Sequence, residues 1–118
     1  MNDIFKALGD LNRLRILHLL FHDELCVSDL EDVLKLTQSN VSRHLGKLKS
    51  VGIITPNKTA QWVSYRVSDQ FLTDNQELVA FLHKSFEMDE TYTEDFNNLI
   101  EMRKVKPCCS SDLKSVRS

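Results

Sequence analysis

Along most of this chain apolar residues recur at helical spacing, and past the middle they switch to alternation. Ile4, Phe5 and Leu8 mark a short amphipathic helix stopped by Gly9. Asp10 can cap a helix over residues 11–21 that turns Leu14, Leu17, Leu20 and Phe21 inward and leaves Arg13 and Arg15 on its polar side. Residues 23–27 read as a short connection. Ser28-Asp29-Leu30-Glu31 has the form of a capping box, with Ser28 as N-cap and Glu31 reaching back. The helix it opens presents Leu30, Val33 and Leu34 to a core and ends near Lys35-Leu36. A few residues later Thr37 caps the next helix. There Val41, Leu45 and Leu48 form one buried stripe, and Gly52 stands where a left-handed residue ends a helix. Two short helices joined by a tight turn predict a helix-turn-helix.

Beyond Gly52 the period becomes two. Residues 53–58 and 61–67 read as strands rich in β-branched and aromatic side chains, with Pro56 tolerated on a free edge. The tip near Thr59-Ala60 lacks the glycine of a tight primed turn, so a longer, mobile tip is expected. A hairpin after a helix-turn-helix is a wing, and hairpin packing is at least as good a role for Trp62 and Tyr65 as contact with DNA. Leu78, Val79, Leu82 and Phe86 predict a helix over residues 75–86 whose apolar face suits a partner chain. Residues 88–94 read as a loop, and about 93–104 as a last helix with Phe96, Leu99 and Ile100 on one side. The expected fold class is mainly α with a two-stranded β-hairpin, a winged helix-turn-helix in the order α-α-α-α-β-β-α plus a C-terminal helix. Residues 1–104 form the expected DNA-binding and dimerisation domain, and residues 105–118 a flexible tail holding two cysteines.

Charge sharpens the picture. The second helix of the predicted pair shows Gln38, Ser39, Asn40, Ser42, Arg43, His44 and Lys47 on its remaining surface, with no carboxylate. Amides, hydroxyls and cations suit base edges and phosphates. A net charge of −2 argues against a nucleic-acid partner until its distribution is seen. Lys35, Arg43, Lys47, Lys49, Lys58 and Arg66 are the only charged residues between Val33 and Ser68, so six positive charges sit together and the rest of the chain carries a net −8. Gln38, Ser39, Asn40, Ser42, Arg43 and His44 are therefore candidates for reading double-stranded DNA, with Lys47, Lys49, Lys58 and Arg66 on phosphates. Asn57, Thr59 and Gln61 of the wing stand in reach of phosphate or a minor groove. A winged helix serving as a protein-interaction module needs an apolar or mixed-charge outer face, which residues 38–50 lack. No glycine-rich phosphate loop and no His in a nucleophile arrangement point to an enzyme. No apolar run approaches the roughly 18 residues of a membrane helix, and the first residues lack the layout of a secretion signal, so a cytoplasmic protein without a membrane partner is expected.

The three cysteines, Cys26, Cys108 and Cys109, are an odd number that does not read as a disulfide framework. Buried thiols, a metal site and a redox switch stay open. Trivalent arsenic or antimony takes three thiolates, and this chain has three. Cys26 precedes a helix start, whose dipole favours an anionic sulfur. Adjacent Cys108 and Cys109 would point apart on a regular strand, and face one ion only where the backbone bends, as Pro107 and Ser110-Ser111 allow. Reversible oxidation or persulfidation of Cys108 and Cys109 is the rival chemistry. His18 and His22 are spaced i, i+4, a chelating interval, but their ordinary role is to cap carbonyls at the negative end of a helix. His83 has no second His or Asp at chelating spacing.

Several strings together resemble the ArsR/SmtB family of winged-helix metalloregulatory repressors. They are Phe5-Lys6-Ala7-Leu8-Gly9-Asp10, Arg13-Leu14-Arg15-Ile16-Leu17, Glu24-Leu25-Cys26-Val27-Ser28-Asp29-Leu30, and Gln38-Ser39-Asn40-Val41-Ser42-Arg43-His44-Leu45 with Gly52 and Trp62-Val63-Ser64-Tyr65-Arg66. The resemblance covers roughly residues 4–83. It implies a homodimer that binds an inverted-repeat operator and releases it on binding an ion or a thiol-reactive signal. Arsenic and cadmium/lead sensors of that family carry Cys-Val-Cys where this chain has Cys26-Val27-Ser28, so a single thiol of that site is kept. Zinc and cobalt sensors use Asp and His on the dimer helix, a pattern His83 alone does not supply.

Overall fold

The computed structural model describes residues 2–59 and 62–105. Along them run α1 (Asn2–Leu8), α2 (Leu11–His22), β1 (Leu25–Cys26), α3 (Val27–Leu34), α4 (Gln38–Ser50), β2 (Ile54–Thr59), β3 (Trp62–Val67), α5 (Asp69–Asp74), α6 (Gln76–Glu87) and α7 (Glu90–Val105). α2, α4 and α5 start where a side chain takes an orphan N–H group of the first turn. Asp10 accepts from Asn12 N–H at 2.9 Å, Thr37 from Asn40 N–H at 3.3 Å, and Ser68 from Phe71 N–H at 3.4 Å. The end of α4 is equally determined. Gly52 sits at φ 83°, its N–H donates to the Lys49 carbonyl and that of Ile53 to the Leu48 carbonyl, both at 3.0 Å. That is a Schellman motif, and it fixes the direction in which the wing leaves α4.

The core gathers Ile16, Leu17 and Leu19 of α2, Leu25, Leu30 of α3, Val41, Leu45 and Leu48 of α4, and Ile53. Each large side chain buried there contributes about 1.5–3 kcal/mol. Burial of the α4 stripe holds that helix down and leaves its opposite face outward.

The expected hairpin forms, in register from Ile54↔Val67 to Thr59↔Trp62, but it belongs to a three-stranded antiparallel sheet of order β1-β3-β2. Leu25 and Cys26, read from sequence as a connection, pair with Tyr65 and Ser64. Two residues carry no alternation to read, and both are buried. This short strand also moves the start of α3. The chain turns from extended to helical at Cys26, so Cys26 rather than Ser28 is the N-cap. Asp29 rather than Glu31 reaches back, its Oδ2 accepting from Cys26 N–H at 3.1 Å. Two further differences lie beyond the wing. α5 precedes α6, and α7 begins at Glu90, within the stretch expected to be a loop. The wing tip at Ala60-Gln61 and the tail from residue 106 lie outside the described residues. α7 packs across α2 and α3. No helix among the described residues is long and apolar enough to cross a membrane.

Candidate nucleic-acid interface

With Val41, Leu45 and Leu48 buried, α4 exposes Gln38, Ser39, Ser42, Arg43 and Lys47, while Asn40 is half-buried at its start. Arg43 Nη2 donates to Asn40 Oδ1 at 3.3 Å, which lays the guanidinium along the polar face. His44 departs from the expectation. It is 2 % exposed, and its Nε2 faces Asp10 Oδ1 at 4.0 Å. Positions 41, 44, 45 and 48 complete an i, i+3, i+4, i+7 stripe, and in a helix this short that stripe claims His44 for the core. His44 is thus removed from the DNA-reading set. Burial lowers its pKa, with Asp10 opposing and Arg43 and Arg13 reinforcing the shift.

The wing places Lys58 exposed near the end of β2, opposite Val63. Arg66 is exposed on β3 and pairs with the exposed Asp69 at 3.5 Å, a contact of the kind worth about 0–1 kcal/mol and easily exchanged for a phosphate. Asn57 is committed elsewhere: its Nδ2 donates to Glu24 Oε2 at 3.0 Å, and the same oxygen accepts from Ser64 Oγ. Glu24 therefore latches the wing to the segment just before the helix-turn-helix. Trp62 remains 42 % exposed and Tyr65 packs half-buried against the core.

Cys26 is buried, with Sγ 3.3 Å from Ser28 Oγ. The last turn of α7 lands on the same turn of chain. Arg103 Nε donates to Asp23 Oδ2 at 2.9 Å, and its Nη2 to Asp29 Oδ2 and to the Glu24 carbonyl, each at 3.4 Å. Asp29, fully buried, thus takes both the Cys26 N–H and Arg103. Sequence reading missed Arg103, Asp29 and Glu24, because partners 33 to 80 residues apart leave no local periodicity. Cys108 and Cys109 lie outside the described residues.

His18 and His22 do not cap carbonyls. Their Nε2 atoms face each other at 3.3 Å, and the C-cap is Asp23, whose N–H donates to the Leu19 carbonyl at 3.1 Å. Burial pushes the His18 pKa down to about 4, and His22 acts in the same direction.

Comparison with known proteins places this geometry. Residues 10–55 match the family described as "Bacterial regulatory protein, arsR family". The arsenic resistance transcriptional regulator ArsR2 of Pseudomonas putida is 36% identical over 87 residues, 73% of this chain and 70% of that protein. The cadmium resistance transcriptional regulatory protein CadC of Listeria innocua is 35% identical over 79 residues; the match spans 66% of its length, just under two thirds, and 66% of this chain. Among solved structures, the homodimeric winged helix-turn-helix DNA-binding domain of Mb0332 from Mycobacterium bovis, a possible ArsR-family transcriptional regulator, superposes with a TM-score of 0.61. It is 25% identical, and the overlap covers 70% of this chain and 77% of that one.

Proposed function

Since the chain belongs to the ArsR family of DNA-binding transcriptional regulators, we propose that it is a cytoplasmic homodimeric repressor that holds an inverted-repeat operator and lets go when trivalent arsenic or antimony binds Cys26, Cys108 and Cys109. The observation that carries the DNA reading is the outer face of α4. Gln38, Ser39, Ser42, Arg43 and Lys47 stand exposed there with no carboxylate among them, and Lys58 and Arg66 of the wing add cations. Asn40 at the start of the helix complements them.

Phe5 of α1 and Phe81 of α6 support the dimer. They are 55% and 65% exposed and flank an apolar groove of about 290 Å³ floored by Leu8, Leu14 and Leu78. Pairing this face about a two-fold axis would bury both, and operator binding then requires the two copies of α4 to meet half-sites roughly 34–36 Å apart.

Chain length permits a thiol site within one subunit. Arg103 touches Asp29, which holds the Cys26 N–H. Cys108 follows five residues later, a tether of at most about 18 Å. An ion joining Cys26 to the tail would strain the first turn of α3 through Asp29 and Arg103, and the wing through Glu24. Coupling of about 1–3 kcal/mol, or 5- to 150-fold in operator affinity, is the expected size.

The test is anisotropy of a labelled operator duplex titrated with arsenite. Release by the wild type, lost in both Cys26→Ser and the Cys108→Ser/Cys109→Ser pair, supports the bridging site. Release that persists in Cys26→Ser overturns it. Release by a persulfide donor or peroxide, with none by arsenite, replaces it with the thiol-oxidation reading.

A further inference from the structure

We infer that His18, His22 and His83 form a site for a divalent transition-metal ion of the zinc, cobalt or nickel class between α2 and α6, separate from the cysteines. The first two ligands already stand at chelating distance. An ion with about 2.0–2.1 Å metal–nitrogen bonds in a tetrahedron needs neighbouring donors about 3.3–3.4 Å apart, and the two Nε2 atoms are 3.3 Å apart.

His83 comes from the facing helix. Its ring lies on Phe21 with centroids 4.4 Å apart, and it lines, with His18, His22 and Glu87, one cavity of about 210 Å³. As the side chains stand, no three metal-ligating groups converge among the described residues, so closure needs His83 to turn away from Phe21. His83 is exposed and free of the packing that fixes His18. Glu87, one turn further along α6, lines the same cavity and is the carboxylate there.

The chemistry of the donors selects the ion. His18 is buried with Nδ1 lacking a hydrogen-bond partner. Burial first, and neighbouring imidazoles after it, hold the pKa of His18 and His22 down, and Asp95 of α7 is the nearby carboxylate that acts the other way on His18. Imidazoles with a carboxylate select zinc, cobalt, nickel or copper over calcium or magnesium, and lack the sulfur that arsenic prefers. An ion held here would cross-link α2 to the helix that carries Phe81.

The test uses the full chain without an affinity tag, with Cys26, Cys108 and Cys109 all changed to Ser so that no thiolate competes. Cobalt(II) is titrated while the visible absorption is followed, and zinc(II) is then added as a competitor. One ion per chain is expected, with the strong visible bands of a four-coordinate ion and displacement by zinc. His22→Gln and His83→Gln lie toward solvent and keep the far-ultraviolet circular dichroism of the parent; each should weaken binding by more than the about 10–100-fold typical of losing an outer-shell partner. No cobalt binding by the thiol-free chain, or binding unchanged in both His variants, overturns the assignment. Neither result alters the arsenite test, which is read on operator release by the cysteine-containing protein.

Discussion

Arg15 and Asp95, eighty residues apart in sequence, meet in a two-pronged ion pair, Nε to Oδ2 at 2.9 Å and Nη2 to Oδ1 at 3.0 Å. Asp95 is 3% exposed at its side chain and Arg15 21%, so the pair is buried mainly on the carboxylate side. It pins α7 across α2, and with it Arg103 over the start of α3. Asp95→Ala strands a partly buried guanidinium. It is expected to cost about 2–4 kcal/mol in urea unfolding, below the roughly 3–5 of a fully buried pair because Arg15 keeps some water. The double variant Arg15→Met/Asp95→Leu should recover most of that loss. A single substitution that leaves the unfolding midpoint in place would show that α7 does not depend on this pair.

His44 gives the fold a pH dependence of definite sign. Burial lowers its pKa in the folded chain, whereas the unfolded chain takes up the proton near pH 6.5. Below that value the unfolded state binds more protons, so stability is full above about pH 6.5 and falls as pH drops toward the folded pKa. The slope contributed by one group is at most about 1.4 kcal/mol per pH unit. With a chelator present, wild type should lose more of its urea midpoint than His44→Gln between about pH 7.5 and about pH 5. Equal losses would mean that His44 does not titrate across folding.

The exposed cations of α4 and the wing separate by what they read. Arg43→Ala should cost about 1–3 kcal/mol on the operator and relax discrimination at one base pair, the signature of a base-edge contact. Lys47→Ala and Lys58→Ala should weaken binding to every duplex alike and each flatten the log–log salt slope by about 0.9. Anisotropy titrations across salt concentrations distinguish the two. Salt slopes equal to wild type in both lysine variants would move the phosphate contacts elsewhere.

What the sequence disclosed, and what it hid, follows the range of each interaction. The inner stripe of α4, the Thr37 cap and Gly52 at its end depend on contacts between residues at most five positions apart, and all were legible. His44 was misread although its i, i+3, i+4 spacing with Val41 and Leu45 was visible, because histidine counts as polar in a pattern and only the packing against Asp10 assigns its face. β1 was invisible because two buried residues have no period. Glu24 on Ser64 and Asn57, Arg103 on Asp29, and His83 on Phe21 of α2 are made by tertiary contact between elements whose sequences hold no trace of one another. His18 and His22 show the middle case. Their spacing was plain, but whether the rings turn to carbonyls or to each other was decided by Phe86 and Tyr92 packing on His18 and Phe96 on His22.

Phe81 is the residue on which dimerisation should turn. It is 65% exposed on α6 beside the groove that Phe5 flanks, whereas Met88, 79% exposed, lies past the end of that helix and outside the groove. In a two-fold interface each substitution acts twice, and removing an aromatic side chain forfeits about 1.5–3 kcal/mol per copy. Phe81→Glu also buries two charges if the dimer forms, so its dissociation constant should rise by at least about a hundredfold. Met88→Gln should leave it unchanged. Sedimentation equilibrium reads both, and circular dichroism checks that the monomer keeps its helices. The Phe81→Glu monomer should then bind a full inverted repeat no better than a half-site, since the spacing of two α4 helices is what a dimer adds. A Phe81→Glu chain that sediments as a dimer would place the subunit interface on another face.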